Sequence, residues 1–166
     1  YPKEFGLDTL VTNRGLRGQE LFGSDTSITR EEFFAYKMDD RYSAGSNVRK
    51  MQADLKNVDP QGDAELKAAL DLVASWNGAA DMENRAAALT IFTGQAIMGS
   101  QIHGAYDRAK ALAALKETAA LLKTATGRID PKWSEVSRVA RGGKSWPTDG
   151  GPDTLRAMYA GGDLTK

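Results

Sequence analysis

Apolar positions along the chain recur mostly at spacings of three and four, the period of an amphipathic helix, and period-2 alternation is nearly absent. The centre of the pattern is Leu70–Met98. It reads as the end of one helix at Trp76-Asn77-Gly78, a short link, and a helix apolar on nearly every side from about Glu83 to Met98. Such a helix is normally the buried centre of a domain. The expected fold is mainly α, with about six helices packed around that central one.

The other elements follow from local signals. Tyr1–Leu10 opens on Tyr-Pro and a glycine, poor material for a helix start. Thr12 or Asn13 can cap a first helix through Phe22, with Leu16, Leu21 and Phe22 inward and Gly23 as its end. Thr29-Arg30-Glu31-Glu32 has capping-box spacing and predicts a second helix from Arg30 to about Met38, burying Phe33, Phe34 and Tyr36. Val48, Met51 and Leu55 predict a third over Asn47–Leu55. Asp63 caps a fourth with Leu66, Ala69, Leu70, Val73 and Trp76 as its stripe, and Gly78 supplies a left-handed stop. Asp107 caps the sixth and longest, ending near Thr126 before Gly127. Its inner stripe is Leu112, Leu115, Ala119 and Leu122, and Lys110, Lys116, Glu117 and Lys123 form its wet face. Past Gly127 the character changes. Asp130-Pro131 starts a short turn or helix carrying Trp133 and Val136, and glycines and prolines then crowd into residues 142–152. The expected organisation is a helical domain over 1–127 and an irregular Gly/Pro-rich segment over 128–166 that packs on it. Asp153–Tyr159 reads as one more helical turn or a lead-in to a strand.

Composition narrows the chemistry. The chain has 166 residues, 22 basic and 22 acidic, and 41% hydrophobic. That is enough for one domain with a core and argues against disorder. A cancelled charge without a long basic run offers no electrostatic capture of nucleic acid or an anionic membrane. No apolar run reaches the length of a membrane span. Without cysteine there are no disulfides, thiol nucleophiles or thiolate metal sites, and the single His103 cannot build a histidine metal cluster. No metal-binding and no cofactor-binding residue is assigned. The chain starts at Tyr1 rather than Met and ends without a clear stop, so a piece of a longer protein is expected.

Each candidate site has an ordinary reading beside it. Asp39-Asp40 with Asp54 lack an EF-hand pattern and read as a solvated charge cluster. His103 near Ser100 lacks a nucleophile elbow and reads as a linker histidine. Gly150-Gly151-Pro152-Asp153 lacks P-loop spacing and reads as a structural turn. Trp76, Trp133 and Trp146 read as packing anchors rather than a ligand pocket, each indole N–H needing a partner if buried. Arg14, by itself, reads as a surface arginine.

Three stretches together resemble the β-chain of the penicillin acylase family, N-terminal-nucleophile amidohydrolases that include the acyl-homoserine-lactone and aculeacin-type acylases. They are Tyr1-Pro2 with Asn13-Arg14 and Glu20-Leu21-Phe22; Ser27–Asp54, with Thr29–Phe33, Met38-Asp39-Asp40 and Ser43-Ala44; and Leu72–Gly78, where Asn77 replaces the usual Asp before the glycine. Downstream, Trp133-Ser134-Glu135-Val136 and Gly150–Arg156 resemble the later Trp-Gly-x-Val and Gly-Gly-x-Asp-Thr-Leu elements, with Ser134 in place of Gly. The resemblance spans almost the whole chain in order.

The resemblance implies an N-terminal serine nucleophile whose own amine is the base, and an oxyanion hole built from an asparagine and a backbone amide. Both the serine and the asparagine are expected upstream of Tyr1. Arg14 matches the arginine that supports that asparagine and is the one catalytic-shell position carried over. In some members an acidic residue after Tyr-Pro ligates calcium. Glu4 stands two residues out of that spacing and is not assigned, so a structural calcium stays an expectation for the parent alone. The implied partners are the α-chain, the rest of the β-chain and a small-molecule N-acyl amide such as an acyl-homoserine lactone or β-lactam-type amide. The implied location is the periplasm or outside the cell. The segment alone is expected to be inactive. The competing class is a stand-alone helical binding module with tryptophans lining a groove.

Overall fold

The computed structural model describes residues 11–158. In chain order its elements are α1 (Asn13–Phe22), α2 (Arg30–Lys37), α3 (Asn47–Leu55), α4 (Ala64–Ser75), α5 (Ala87–Met98), α6 (Arg108–Thr126), α7 (Trp133–Val136), β1 (Arg138–Arg141) and β2 (Lys144–Pro147). The fold is mainly α, as the helical periodicity predicts. The Tyr1–Leu10 reading and the end of the Asp153–Tyr159 reading lie outside the described residues.

The centre is α5. Ala87, Ala88, Leu89, Thr90, Ile91, Thr93 and Gly94 are all buried. Thr90 and Thr93 survive there because their hydroxyls donate to the carbonyls of Ala86 and Leu89 one turn back. The alanines let neighbours approach, and α3, α4, α6 and α7 all pack on α5, α6 most extensively. α6 turns Ala111, Ala114, Leu115, Thr118 and Leu122 inward, and α3 contributes Val48, Met51 and Leu55.

The start of α5 differs from the expectation. It begins at Ala87 rather than Glu83. Asn84 explains the delay: its Oδ1 accepts from the N–H groups of Ala86 and Ala87, while its Nδ2 donates to Ala79 O and Asn77 Oδ1. One side chain therefore ties the preceding loop shut and supplies the helix's first acceptor. Asn77 performs an acceptor's task an Asp could also do, since its Oδ1 takes the Ala79 N–H at 3.0 Å.

The end of α4 is completed from α3. Gln52 Nε2 donates to Val73 O and Trp76 O, and Arg49 Nη1 donates to Trp76 O. These cover carbonyls a helix C-terminus leaves unpaired. Trp76 is buried with its indole N–H on Ala79 O, and its rings meet both Tyr42 and the Arg49 guanidinium. The helix itself stops at Ser75, and Gly78, at φ +83°, turns the chain two residues beyond Trp76. A Cβ at Gly78 would come within 2.9 Å of Arg49 Nη1 and shift the guanidinium, while the left-handed conformation is what favours glycine there.

Two expectations about apolar residues are corrected. Phe33 and Phe34 are not buried but 49% and 46% exposed, and Tyr36 is only half-buried. α2 packs chiefly on α1, which leaves its outer side largely exposed among the described residues. The capping box places the helix correctly, with Glu32 N on Thr29 Oγ1 and Thr29 N on Glu32 Oε2, but a capping box carries no information about what covers a face. Trp146, read as a packing anchor, is 50% exposed on a hairpin. That hairpin, β1 against β2 in antiparallel register with Val139 opposite Trp146, lies inside the segment expected to be irregular. Its turn is Gly142-Gly143, both at positive φ, which suits a two-residue hairpin loop.

Candidate functional site

The site is built where the first turn of α1 meets the loop at residues 149–157. Thr12 caps α1 with its hydroxyl on Gly15 N, which starts the helix at Asn13. Asn13 is buried and uses every polar group it has. Its N–H donates to Asp153 Oδ2 at 2.7 Å, its Nδ2 to Asp153 O and Arg41 O, and its Oδ1 accepts the Ser43 N–H at 2.7 Å. One asparagine thus joins α1, the loop before α3 and the C-terminal loop.

Arg14, next in the chain, is exposed overall, and its Nε donates to Thr154 O at 3.2 Å. A bond at Nε holds the guanidinium plane in one orientation. Arg17, one turn on, makes a two-pronged pair with Asp39, Nε to Oδ1 at 3.0 Å and Nη2 to Oδ2 at 2.6 Å. Both side chains are largely covered, and the pairing with Asp39 raises the arginine's pKa still further. Glu20 pairs with Arg17 and accepts from the Ser43 hydroxyl, and the Ser43 bond leads the causes that hold its carboxyl below the ordinary range.

The aspartate reading needs correcting. Asp39 is not a solvated group but half of the covered Arg17 pair, and Asp54 stands elsewhere, accepting from Tyr106 Oη at 3.0 Å. Desolvation, then the Asp54 bond, push the Tyr106 phenol up to about 12. Asp40 is half-buried; burial pushes its carboxyl up, helped by repulsion from Asp81, Asp39 and Asp149. The structure does not bring Asp39, Asp40 and Asp54 to one cation site. No group of three or more metal-ligating side chains forms among the described residues.

Gly150–Asp153 is a packed turn. Gly150 N donates to Ala80 O, Gly150 O accepts from the Trp133 indole, and Tyr42 Oη donates to Pro152 O at 2.6 Å. Gly150 sits at φ +81°, and a Cβ there would overlap the Arg156 carbonyl. The turn's polar groups face protein rather than an open cradle. Trp133 is buried beside Phe92, the anchor the sequence predicts. Among the described residues His103 has no hydrogen bond to Ser100 or to an acid, and its buried Nδ1 meets no partner there; it lies beside a hollow of about 270 Å³ lined by Asn13, Leu16, Lys50 and Ile102. A hollow of about 500 Å³ lies between α4 and α6 and is lined by no tryptophan.

The sequence reading named Arg14 but not what holds it. Asn13 reads from the sequence as a cap candidate beside Arg14, and Asp153 as part of the Gly150–Arg156 motif, neither with a partner. Both motifs were visible; their meeting across 140 residues was not. Tyr1, Pro2 and Glu4 lie outside the described residues.

Arg14 therefore stands on a helix whose first turn is clamped, as an oriented cation and donor, with no nucleophile-and-base pair beside it among the described residues. No curated protein matches the sequence. The family model described as penicillin amidase matches residues 1–163, covering both the Asn13-Arg14 turn and the Gly150–Thr154 loop that grips it, and the chain belongs to this family of amidohydrolases.

Proposed function

We propose that the chain is the helical β-chain segment of an amide hydrolase that removes the acyl group from an N-acyl amide, such as an acyl-homoserine lactone or a β-lactam-type amide. The nucleophile in this reading is the side-chain hydroxyl of the serine at the start of the β-chain, activated by that residue's own α-amine, and an upstream asparagine forms the oxyanion hole with a backbone amide. Arg14 supports that asparagine. The partners are the α-chain and the remainder of the β-chain; no helix among the described residues is long and apolar enough to cross a membrane. Family members generally work outside the cytoplasm, which supports a periplasmic or secreted enzyme. In this reading residues 1–127 belong to the helical domain and 128–166 to a C-terminal segment that packs on it.

The observation that carries the reading is the family match over nearly the whole chain. The clamped Arg14 supports it, because an arginine that fixes an oxyanion donor must itself be fixed. The exposed Phe33 and Phe34 support it too, as a face covered in the larger enzyme. The experiment is expression of the entire reading frame and assay against penicillin G and N-acyl-homoserine lactones, beside the 166-residue chain alone. Hydrolysis by the first and none by the second is expected. Turnover by the isolated chain, or a start codon near Tyr1 without an upstream serine, overturns the reading. In the whole enzyme Arg14→Ala should lower kcat by roughly 10- to 100-fold, less than the roughly 100- to 1000-fold that outright removal of an oxyanion donor costs, with folding intact.

A further inference from the structure

We propose that Asp153 is the positioning residue for Arg14, setting the guanidinium of the amide-hydrolysing site from the opposite end of the chain; the proposal rests on the reading of Arg14 given above. The geometry is a double grip. Asp153 Oδ2 takes the N–H of Asn13 at 2.7 Å, Asp153 O takes Asn13 Nδ2 at 2.9 Å, and the next carbonyl, Thr154 O, takes Arg14 Nε at 3.2 Å. Two successive loop residues thus hold two successive helix residues.

The carboxylate does something the local cap does not. Thr12 spends its hydroxyl on Gly15 N, which leaves the Asn13 N–H as one of the donors a helix start cannot satisfy internally. Asp153 supplies that acceptor, and its charge faces the positive end of the helix dipole. A displacement of Asp153 therefore moves the first turn of α1, where Arg14 sits, and moves Thr154 O, to which Arg14 is bound.

The loop is built to hold Asp153 still. Asp153 is 4% exposed and sits at φ +58°, a left-handed conformation that a non-glycine residue keeps only when its surroundings impose it. The surroundings are explicit. Thr154 Oγ1 donates to Arg156 O at 2.7 Å and accepts from Gly151 N at 3.1 Å. Tyr42 Oη pins Pro152 O from the core side. A turn required only to reverse the chain would hold glycine here at lower conformational cost. The aspartate side chain is what the position uses.

The test is a double-mutant cycle in the whole processed enzyme, with an N-acyl nitroanilide as the probe. Asp153→Ala is expected to lower kcat by roughly 10-fold or more through misplacement of Arg14, with KM changed less than about 2-fold. Asp153→Asn, which keeps an acceptor oxygen, recovers part of the loss. In the Arg14→Ala background, Asp153→Ala should cost nothing further, because residues acting through one another are not additive. A residue that only stabilises the fold would lower the melting temperature and add its loss to that of Arg14→Ala. Unchanged kcat in Asp153→Ala, or full additivity, overturns the proposal while leaving Arg14 in place. An Arg14→Ala enzyme of full activity overturns the reading of Arg14 itself. Where Asp153→Ala does not fold, the same cycle is read with Asp153→Asn; failure of both to fold assigns Asp153 a structural role and overturns the proposal.

Discussion

Asp40 shows how a single side chain carries information that residue type does not. Its neighbour Asp39 is neutralised by a two-pronged bond from Arg17, whereas Asp40 is half-buried among Asp81, Asp39 and Asp149. Burial, then those like charges, push its carboxyl above the ordinary range. The folded state therefore binds the Asp40 proton more tightly than the unfolded state does. The resulting penalty is absent below the unfolded pKa and complete above the raised folded pKa. Asp40→Asn should raise the melting temperature of the 166-residue chain at pH 7, by less than about 1 kcal/mol in stability. The gain should shrink as pH falls through the carboxyl range. Paired melts of the two chains from pH 7 to pH 3 check this, and a destabilised variant at pH 7 would show that the Asp40 charge has a favourable partner.

At the scale of elements, helix boundaries were legible wherever a cap was local. Thr12, Thr29, Asp63 and Asp107 each accept from the first turn that follows them, and α1, α2, α4 and α6 start at the predicted places. α5 started late because its first acceptor is Asn84, a side chain engaged at the same time by Asn77 and Ala79. The hairpin was missed because all eight of its strand residues are exposed, so no buried face imposes alternation on its sequence. The caps also differ in consequence. Thr29→Ala should weaken α2 by about 1 kcal/mol. Because α2 packs chiefly on α1, the loss should appear as faster hydrogen exchange confined to Arg30–Lys37, with the overall melt little changed. Loss of protection spreading to α5 would place α2 in the main cooperative unit.

For the molecule as a whole, two surfaces matter. The inner one is the cluster around α5, which reaches from Tyr42 to Trp133 and so includes both the start of α3's loop and the C-terminal segment. The outer one is the side of α2 that carries Phe33 and Phe34, with Ile28 and Met38 exposed nearby. Apolar surface of this kind is normally covered by something. The isolated chain is expected to self-associate through it at high concentration, and Phe33→Ser with Phe34→Ser should shift sedimentation toward monomer without lowering the melting temperature. A wild-type chain that stays monomeric at high concentration would count against both this face as an interface and the larger enzyme that covers it.

The sequence by itself determined the helical class, the central helix and most helix starts, because periodicity and capping are contacts within a few residues. It also displayed Asn13-Arg14 and Gly150–Thr154 as separate motifs. Only the tertiary structure decided which apolar residues are covered, since burial depends on a neighbour's position: Phe33 and Trp146 are exposed, while Trp76 and Trp133 are buried with their indoles satisfied. It alone joined the two motifs. Hydrogen bonds at 2.7 to 3.2 Å between residues 140 apart leave no periodic trace in the chain, and they are what turn Arg14 from one surface arginine among many into an oriented one.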